Sequence, residues 1–278
     1  MILNETQDAI REMTHQFAQD VLWPTAETRD RSKEFPRAEL TQMGELGLMG
    51  MLVPEEYGGS DTGAVAYAVA LEEIAAGDGP VSTILSVHSS VGCVPILKYG
   101  TDAQKQKYLP KLASGEWIGG FALTEPQAGS DASNLKTTAV RDGDHYVING
   151  AKQFITSGKN GQMIIVFAIT DKSAGKKGMS AFIVETDTPG YEVVRVEDKL
   201  GLNCTDTCQL AFTDMRIPAE NMLGEEGQGY KIALANLEGG RIGIAAQAVG
   251  MARSALKVAR DYAAERTAFG TAITNHQA

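Results

Sequence analysis

Between about residue 120 and residue 225 the chain changes periodicity, and that change limits its folds more than any other feature. Upstream, apolar residues recur at helical spacing. From Glu5, Ile10, Met13, Phe17 and Val21 follow one another at three and four residues until Trp23-Pro24 interrupts the pattern. Further helical patterns cover about 36–48, 62–76, 80–99 and 102–113, with Thr101-Asp102 as a cap for the last. Then come short β-rich runs: "HYVIN", "AKQFITSG", "MIIVFAIT", "SAFIVET", "YEVVRVE" and "CQLAFTDMRI". The first two flank Asn149-Gly150, a pair suited to a type I′ hairpin turn because both central residues need positive φ. Six or so strands without intervening helices predict an antiparallel sandwich or barrel and exclude a βαβ sheet.

After "LGEEGQGY" helical spacing returns, with Ile244, Ala248, Met251, Ala255, Val258 and Tyr262 on one stripe and no C-cap before the end at Ala278. The expected organisation is α+β and multidomain: an all-α domain over 1–118, a β domain over 119–226, and the first part of a second α domain over 227–278. That last block would bury one face with nothing yet to cover it.

Several chemistries are disfavoured. A net charge of −10 provides no basic stripe for a nucleic-acid backbone. His15, His88, His145 and His276 are scattered, and Cys204 to Cys208 is a lone C-x₃-C, so neither zinc nor a disulfide framework is expected alongside Cys93. Neither a Walker loop nor a G-x-S-x-G elbow occurs, and "GQGYKI" lacks the third glycine of a dinucleotide fingerprint. No apolar run approaches the ~18 residues of a membrane span. The N-terminus has neither signal- nor transit-peptide character, which reads as intracellular.

What remains is a set of binding motifs. "FALTEPQAGSD" (121–131) reads either as a strand running into a surface loop or as a ligand cradle. In the second reading Thr124 and Ser130 offer hydroxyls, and Gly129 admits backbone N–H groups to an anion or heterocycle edge. In "KQFITSG", Phe154 can lie on a ring while Thr156, on the same strand face, reaches its polar edge; a core Phe and an exposed Thr fit as well. "LEGGRIG" sets two adjacent glycines inside a helix at roughly 1 kcal/mol each, which close approach of a backbone or ligand would explain. Arg241 beside them and Arg266 in "ERTAFG" are anion-binding candidates or ordinary helix arginines.

Taken in order, "FALTEPQAGSDAS", "NGAKQFITSG", "EDKLG", "FTDMRIPAENMLG", "GGRIGIAAQAVGMA" and "YAAERTAFG" resemble the acyl-CoA dehydrogenases, closest to the short-chain and short-branched-chain group, over essentially the whole chain. The resemblance implies an N-terminal helical domain, a central β-barrel or sandwich and a C-terminal helical bundle. It implies FAD as cofactor, with Phe121, Ala122, Leu123, Thr124 and Ser130 lining it and Ser130 also meeting the CoA arm. Phe154, Ile155 and Thr156 would flank the isoalloxazine; many members carry Trp where this chain has Phe154. Glu238 and Arg241 match positions that contact the CoA adenine region, while Arg266, Phe269 and Gln277 would reach the FAD of a neighbouring subunit in a dimer of dimers.

The implied reaction is α,β-dehydrogenation of a short straight or 2-methyl-branched acyl-CoA to a trans-2-enoyl-CoA, with electron-transferring flavoprotein as acceptor. Same-fold alternatives are an oxidase, a desulfinase or a non-catalytic flavin- or CoA-binding protein. The resemblance implies a bacterial cytoplasmic location, with the mitochondrial matrix as the alternative. The family's catalytic glutamate has no counterpart here: no Y-E-G-T type motif occurs, and the alternative position is Gly240. The base is therefore expected beyond Ala278, in about a hundred family-typical residues, and a fragment of a normal enzyme competes with a short inactive chain as the explanation.

Overall fold

The computed structural model describes residues 2–276. Helix α1 (Glu5–Phe17) opens with a reciprocal cap between Asn4 and Gln7. It runs through a π-turn (Ala18–Leu22) directly into α2 (Trp23–Ser32). Trp23-Pro24 thus does not end the helix as its sequence predicts. In the wider turn the Trp23 N–H reaches the Ala18 carbonyl, just where Pro24 lacks the N–H of an α-helical bond.

Four helices follow: α3 (Arg37–Glu45), α4 (Gly63–Gly77), α5 (Gly79–Val87), and, after a second π-turn (His88–Cys93), α6 (Val94–Tyr99). Asp78 caps α5 by accepting the Val81 N–H at 3.1 Å and also pairs with the buried Arg29 at 2.7 Å. The continuous α5–π–α6 rod is, contrary to expectation, long and apolar enough to cross a bilayer, but most of it is buried in the protein core. Helix α7 (Asp102–Ala113) begins at the Thr101 cap that the sequence predicts.

The β region comprises β1 (Gly119–Ala122), β2 (Thr138–Asp142), β3 (His145–Thr156), β4 (Met163–Ile169), β5 (Met179–Glu185), β6 (Tyr191–Val196), β7 (Thr207–Pro218) and β8 (Met222–Leu223). They form one eight-stranded sheet in the order β6-β7-β3-β2-β4-β5-β8, with β1 parallel to β4. The sheet folds over on itself: Tyr146 of β3 packs on Phe182 of β5 with ring centroids 5.0 Å apart, although these strands are not neighbours. On the other face of β4 and β5, Ile165, Phe167 and Ile183 join Tyr108, Leu109 and Leu112 of α7. Burial on both faces is why "MIIVFAI" is continuously apolar instead of alternating.

Asn149-Gly150 is not a hairpin turn. Both residues lie inside β3, and the turn occurs at Gly143 (φ 62°) between β2 and β3. A Cβ at Gly150 would stand 2.4 Å from Thr137 Oγ1, and the Asn149 side chain is taken up by Asp214 of the neighbouring strand, accepting its N–H at 2.8 Å. Packing across the sheet, not turn chemistry, selects this pair.

Helix α8 (Gly229–Glu265) is 37 residues long, and a small β9–β10 ladder (Thr267–Ala268, Thr271–Ala272) follows it where the sequence predicts uninterrupted helix. It rests on α4 and α5, and the glycines that permit this are Gly243 and Gly250. A Cβ at Gly243 would meet Ser86 Oγ at 2.5 Å, and one at Gly250 would meet the Glu72 carbonyl oxygen at 2.2 Å. The adjacent pair singled out in the sequence behaves differently: a Cβ at Gly239 would meet nothing within 4 Å, and one at Gly240 would make ordinary contacts with Ser90 Oγ at 3.4 Å and Val91 Cγ1 at 3.9 Å. The stripe from Ile244 through Met251 and Val258 to Tyr262 is exposed. Gly250→Ala is expected to push α8 off α4 and destabilise the protein by about 1–3 kcal/mol, whereas Gly239→Ala should be neutral or stabilising. Thermal denaturation of the two variants checks this; equal melting temperatures would contradict it.

Candidate functional site

Strand β1 leads into the 121–131 segment. The Phe121 ring lies against Phe167 with centroids 4.7 Å apart; Ala122 and Leu123 are buried, Thr124 is half-buried, and Gly129 and Ser130 are exposed. Reciprocal backbone bonds between Glu125 and Ala128, at 2.9 and 3.0 Å, close a tight loop. Beside it, β3 breaks register between Lys152 and Ile155, and Phe154 adopts φ 60° within the irregularity. A left-handed non-glycine residue in a strand costs of order 1–3 kcal/mol and persists only where its surroundings impose it. Here it turns an aromatic ring outward, 62% exposed, while Ile155 stays in the core and Thr156 is half-buried. The Gln153 N–H donates to the Thr124 carbonyl at 2.9 Å and ties the irregularity to the loop.

Two carboxylates support these segments. Asp206 accepts the N–H groups of Lys159 and Asn160 at 2.7 Å each, and its carbonyl accepts Ser157 N–H at 3.0 Å, fixing the turn that follows Thr156. Beneath the loop, Lys152 Nζ, wholly buried, donates to Glu125 Oε1 at 2.8 Å and to the Leu123 carbonyl at 3.1 Å. Glu125 also accepts the Lys136 N–H at 2.6 Å, the Thr137 N–H at 3.2 Å and the Gln127 amide at 2.7 Å. Burial lowers the Lys152 ammonium to about 8 against the opposing attraction of Glu125. Burial pushes the Glu125 carboxyl up, but Lys152 and the N–H donors together hold it below the usual range.

The second π-turn joins this region to a cavity. Gly92 sits directly on Gly119 of β1, where a Cβ would come within 3.2 Å of its backbone. His88 in the same turn accepts the Gly119 N–H on Nδ1 at 3.0 Å and is 3.1 Å from the Leu112 carbonyl through Nε2. This pairing requires the neutral Nε2–H tautomer, and burial accordingly lowers the imidazole to about 4. On the far side of the turn, Ser90, Val94 and Leu97 line a cavity of about 250 Å³ together with Leu52, Tyr67, Asn236 and Gly239. Its wall is mainly apolar, none of the described lining residues is a carboxylate, and the buried Tyr67 hydroxyl and Asn236 Oδ1 lack protein partners.

The remaining sequence candidates lie elsewhere. Glu238 and Arg241 are exposed on α8 beside the glycine pair. Arg266 and Phe269 follow the end of α8, Phe269 being 99% exposed at φ 53° with its ring edge-on to His276. By the helical rise this is roughly 40 Å along α8 from Gly240, and among the described residues the hydrogen bonds of this end run within 262–276 and not to the 121–156 groove. Gln277 lies outside the described residues.

Residues 4–116 match the acyl-CoA dehydrogenase N-terminal domain, 120–215 the middle domain and 227–278 the C-terminal domain. The chain belongs to the acyl-CoA dehydrogenase family. It is 48% identical over 277 residues to an acyl-CoA dehydrogenase of Bacillus subtilis and 45% identical over 275 to a short-chain specific acyl-CoA dehydrogenase of Clostridium acetobutylicum, covering 73% of each. Among solved structures, butyryl-CoA dehydrogenase from Megasphaera elsdenii superposes at a TM-score of 0.96 with 43% identity, this chain covering 73% of it. A chain from work on the electron transferring flavoprotein of Acidaminococcus fermentans superposes at 0.97 with 46% identity, again with 73% covered. The family's members are FAD-dependent oxidoreductases, and the helical, β, helical architecture expected from the sequence is the family fold.

The groove fits a flavin on its own chemistry. Phe154 presents an exposed aromatic ring and Thr124 and Thr156 are half-buried nearby, side chains of the kinds that stack on a heterocycle and hydrogen-bond its polar edge. Ala122 and Ile155, proposed from the sequence as liners, are buried in the β core as whole residues, at 0% and 2% exposure, and support the groove from behind. Sequence reasoning missed Glu125, Lys152, Asp206 and His88. The one signal available was a lysine inside the β-rich run "AKQFITSG". Because His88 titrates near 4 in the fold and near 6.5 unfolded, the unfolded chain binds more protons between these values. Stability is therefore full above pH 6.5 and falls toward pH 4, by up to about 1.4 kcal/mol per pH unit from this group. Denaturant unfolding between pH 7 and 5 should show a shallower fall for His88→Gln than for the unsubstituted protein; parallel slopes would refute this.

Proposed function

We propose that this family member dehydrogenates short-chain acyl-CoA thioesters, straight or 2-methyl-branched, and passes the electrons to electron-transferring flavoprotein. The observation that carries this reading is the small apolar cavity whose π-turn wall packs directly on the strand entering the Thr124 groove. At about 250 Å³ it falls below the usual range of ligand pockets, roughly 300–1,000 Å³, which suits a short acyl chain and disfavours a long one. Relatives described as short-chain specific, from bacteria and from mitochondria, support the same choice.

FAD, when bound, supplies the two-electron acceptor for the β-hydrogen. Phe154 would orient its ring system by stacking, Thr124 and Thr156 would address its polar edge, and Phe121 and Leu123 would form the floor with the buried Ala122 and Ile155 packed behind them. Ser130, exposed on the loop, meets the substrate arm, and Glu238 and Arg241 on α8 meet the adenine end of CoA. Ser90, Val94 and Leu97 exclude water from the acyl chain, strengthening polarisation of the thioester oxygen by nearby donors. None of the described residues lining the cavity is a carboxylate, so the cavity wall itself supplies no proton acceptor. Arg266, Phe269 and Gln277 serve the flavin of a second copy of the chain, a reading supported by the full exposure of the Phe269 ring beyond the end of α8.

Anaerobic titration of the FAD-loaded protein with butyryl-CoA, 2-methylbutyryl-CoA and octanoyl-CoA tests the proposal. The two short thioesters should bleach the visible flavin band and the long one should not, with recovery faster on electron-transferring flavoprotein than on oxygen. Bleaching only by octanoyl-CoA would overturn the substrate class, and fast recovery on oxygen alone would favour an oxidase.

A further inference from the structure

We infer that the buried Lys152–Glu125 pair is a positioning device that turns the Thr124 N–H toward the candidate flavin groove and locks it in register with Phe154. The inference rests on the flavin reading above. Lys152 donates to the carbonyl of Leu123 at 3.1 Å from inside the β domain. In a trans peptide the carbonyl and the next N–H point in opposite directions. Holding the Leu123 carbonyl inward therefore aims the Thr124 N–H outward, and among the described residues nothing accepts it. The following carbonyl, that of Thr124, is also held, by Gln153 N–H at 2.9 Å. Two successive peptide groups of the loop are thus fixed by two successive residues of β3.

Glu125 anchors the arrangement from the other side. Its oxygens accept from Lys152, Lys136, Thr137 and Gln127, so the residue after Thr124 is clamped to the segment entering β2. Phe154 lies two residues beyond Lys152, and its left-handed conformation begins where Lys152 leaves the regular ladder. An ammonium without solvent exposure needs such a partner, since an unpaired buried charge is strongly destabilising. A nonpolar pair could fill the same volume, but it would leave the Leu123 carbonyl free to rotate and the Thr124 amide unaimed. Lys152 and Glu125 touch neither cofactor nor substrate in this account and act through Thr124 and Phe154.

The test uses the unsubstituted protein and two variants. Amide hydrogen exchange of residues 121–128, with and without FAD, should show the Thr124 amide slowing at least about tenfold on loading, as expected for one new hydrogen bond to a ligand. Lys152→Met and the charge-neutral double variant Glu125→Gln/Lys152→Met should bind FAD about tenfold or more weakly. The double variant should recover most of the melting temperature lost in the single one yet keep a shifted visible flavin spectrum. Unchanged Thr124 exchange on FAD loading overturns the inference, even if neither variant folds. A double variant with the affinity and spectrum of the unsubstituted protein overturns it as well. If the unsubstituted protein binds no FAD, the flavin reading itself fails, which is a separate result.

Discussion

The contact on which the rest of the structure depends is that of Gly92 on Gly119. Without side chains on either residue, a helical turn lies directly on a β-strand, and any Cβ at Gly92 would stand 3.2 Å from the strand's backbone. His88 seals the junction by accepting the strand's first N–H. Through this contact the wall of the small apolar cavity and the floor of the candidate flavin groove become two sides of one packed unit. Under the proposed function, the relative placement of substrate and cofactor would then be a property of backbone packing and not of flexible side chains, which is what near-attack geometry demands.

Much of the architecture was legible because it rests on periodicity. The change from helical to β texture near residue 120 and back after 225 reflects burial of one helical stripe, then of strand faces, and such patterns survive in any tertiary context. Local signals that compete with packing were less readable. Asn149-Gly150 has the chemistry of a turn, but Thr137 occupies the space a Cβ at 150 would need, and the glycine serves sheet packing instead. The two π-turns have no signature, because an extra residue in a helical turn shows only in how neighbouring helices meet.

The candidate site was legible in its exposed parts and hidden in its supports. Phe154 and Thr156 announced themselves as an aromatic and a hydroxyl on one strand face. Glu125, Lys152 and Asp206 did not, since a charged residue in a sequence is by default read as solvated, and only the fold reveals that all three are buried, Glu125 and Lys152 against each other and Asp206 beneath two backbone N–H groups. His88 was one of four scattered histidines; its role as a neutral acceptor for a glycine amide depends on a strand distant in sequence.

Helix α8 has a consequence of another kind. At 37 residues it spans roughly 55 Å, seated on α5 at Gly243 and on α4 at Gly250 and carrying Arg266 and Phe269 past its far end. Helical geometry ties distance to direction: inserting one residue between Gly250 and Glu265 would advance that end by about 1.5 Å and also swing it by about 100°. The length of α8 is therefore quantised, and how far Arg266 and Phe269 reach from the α4 contact is set by counting residues along a single helix.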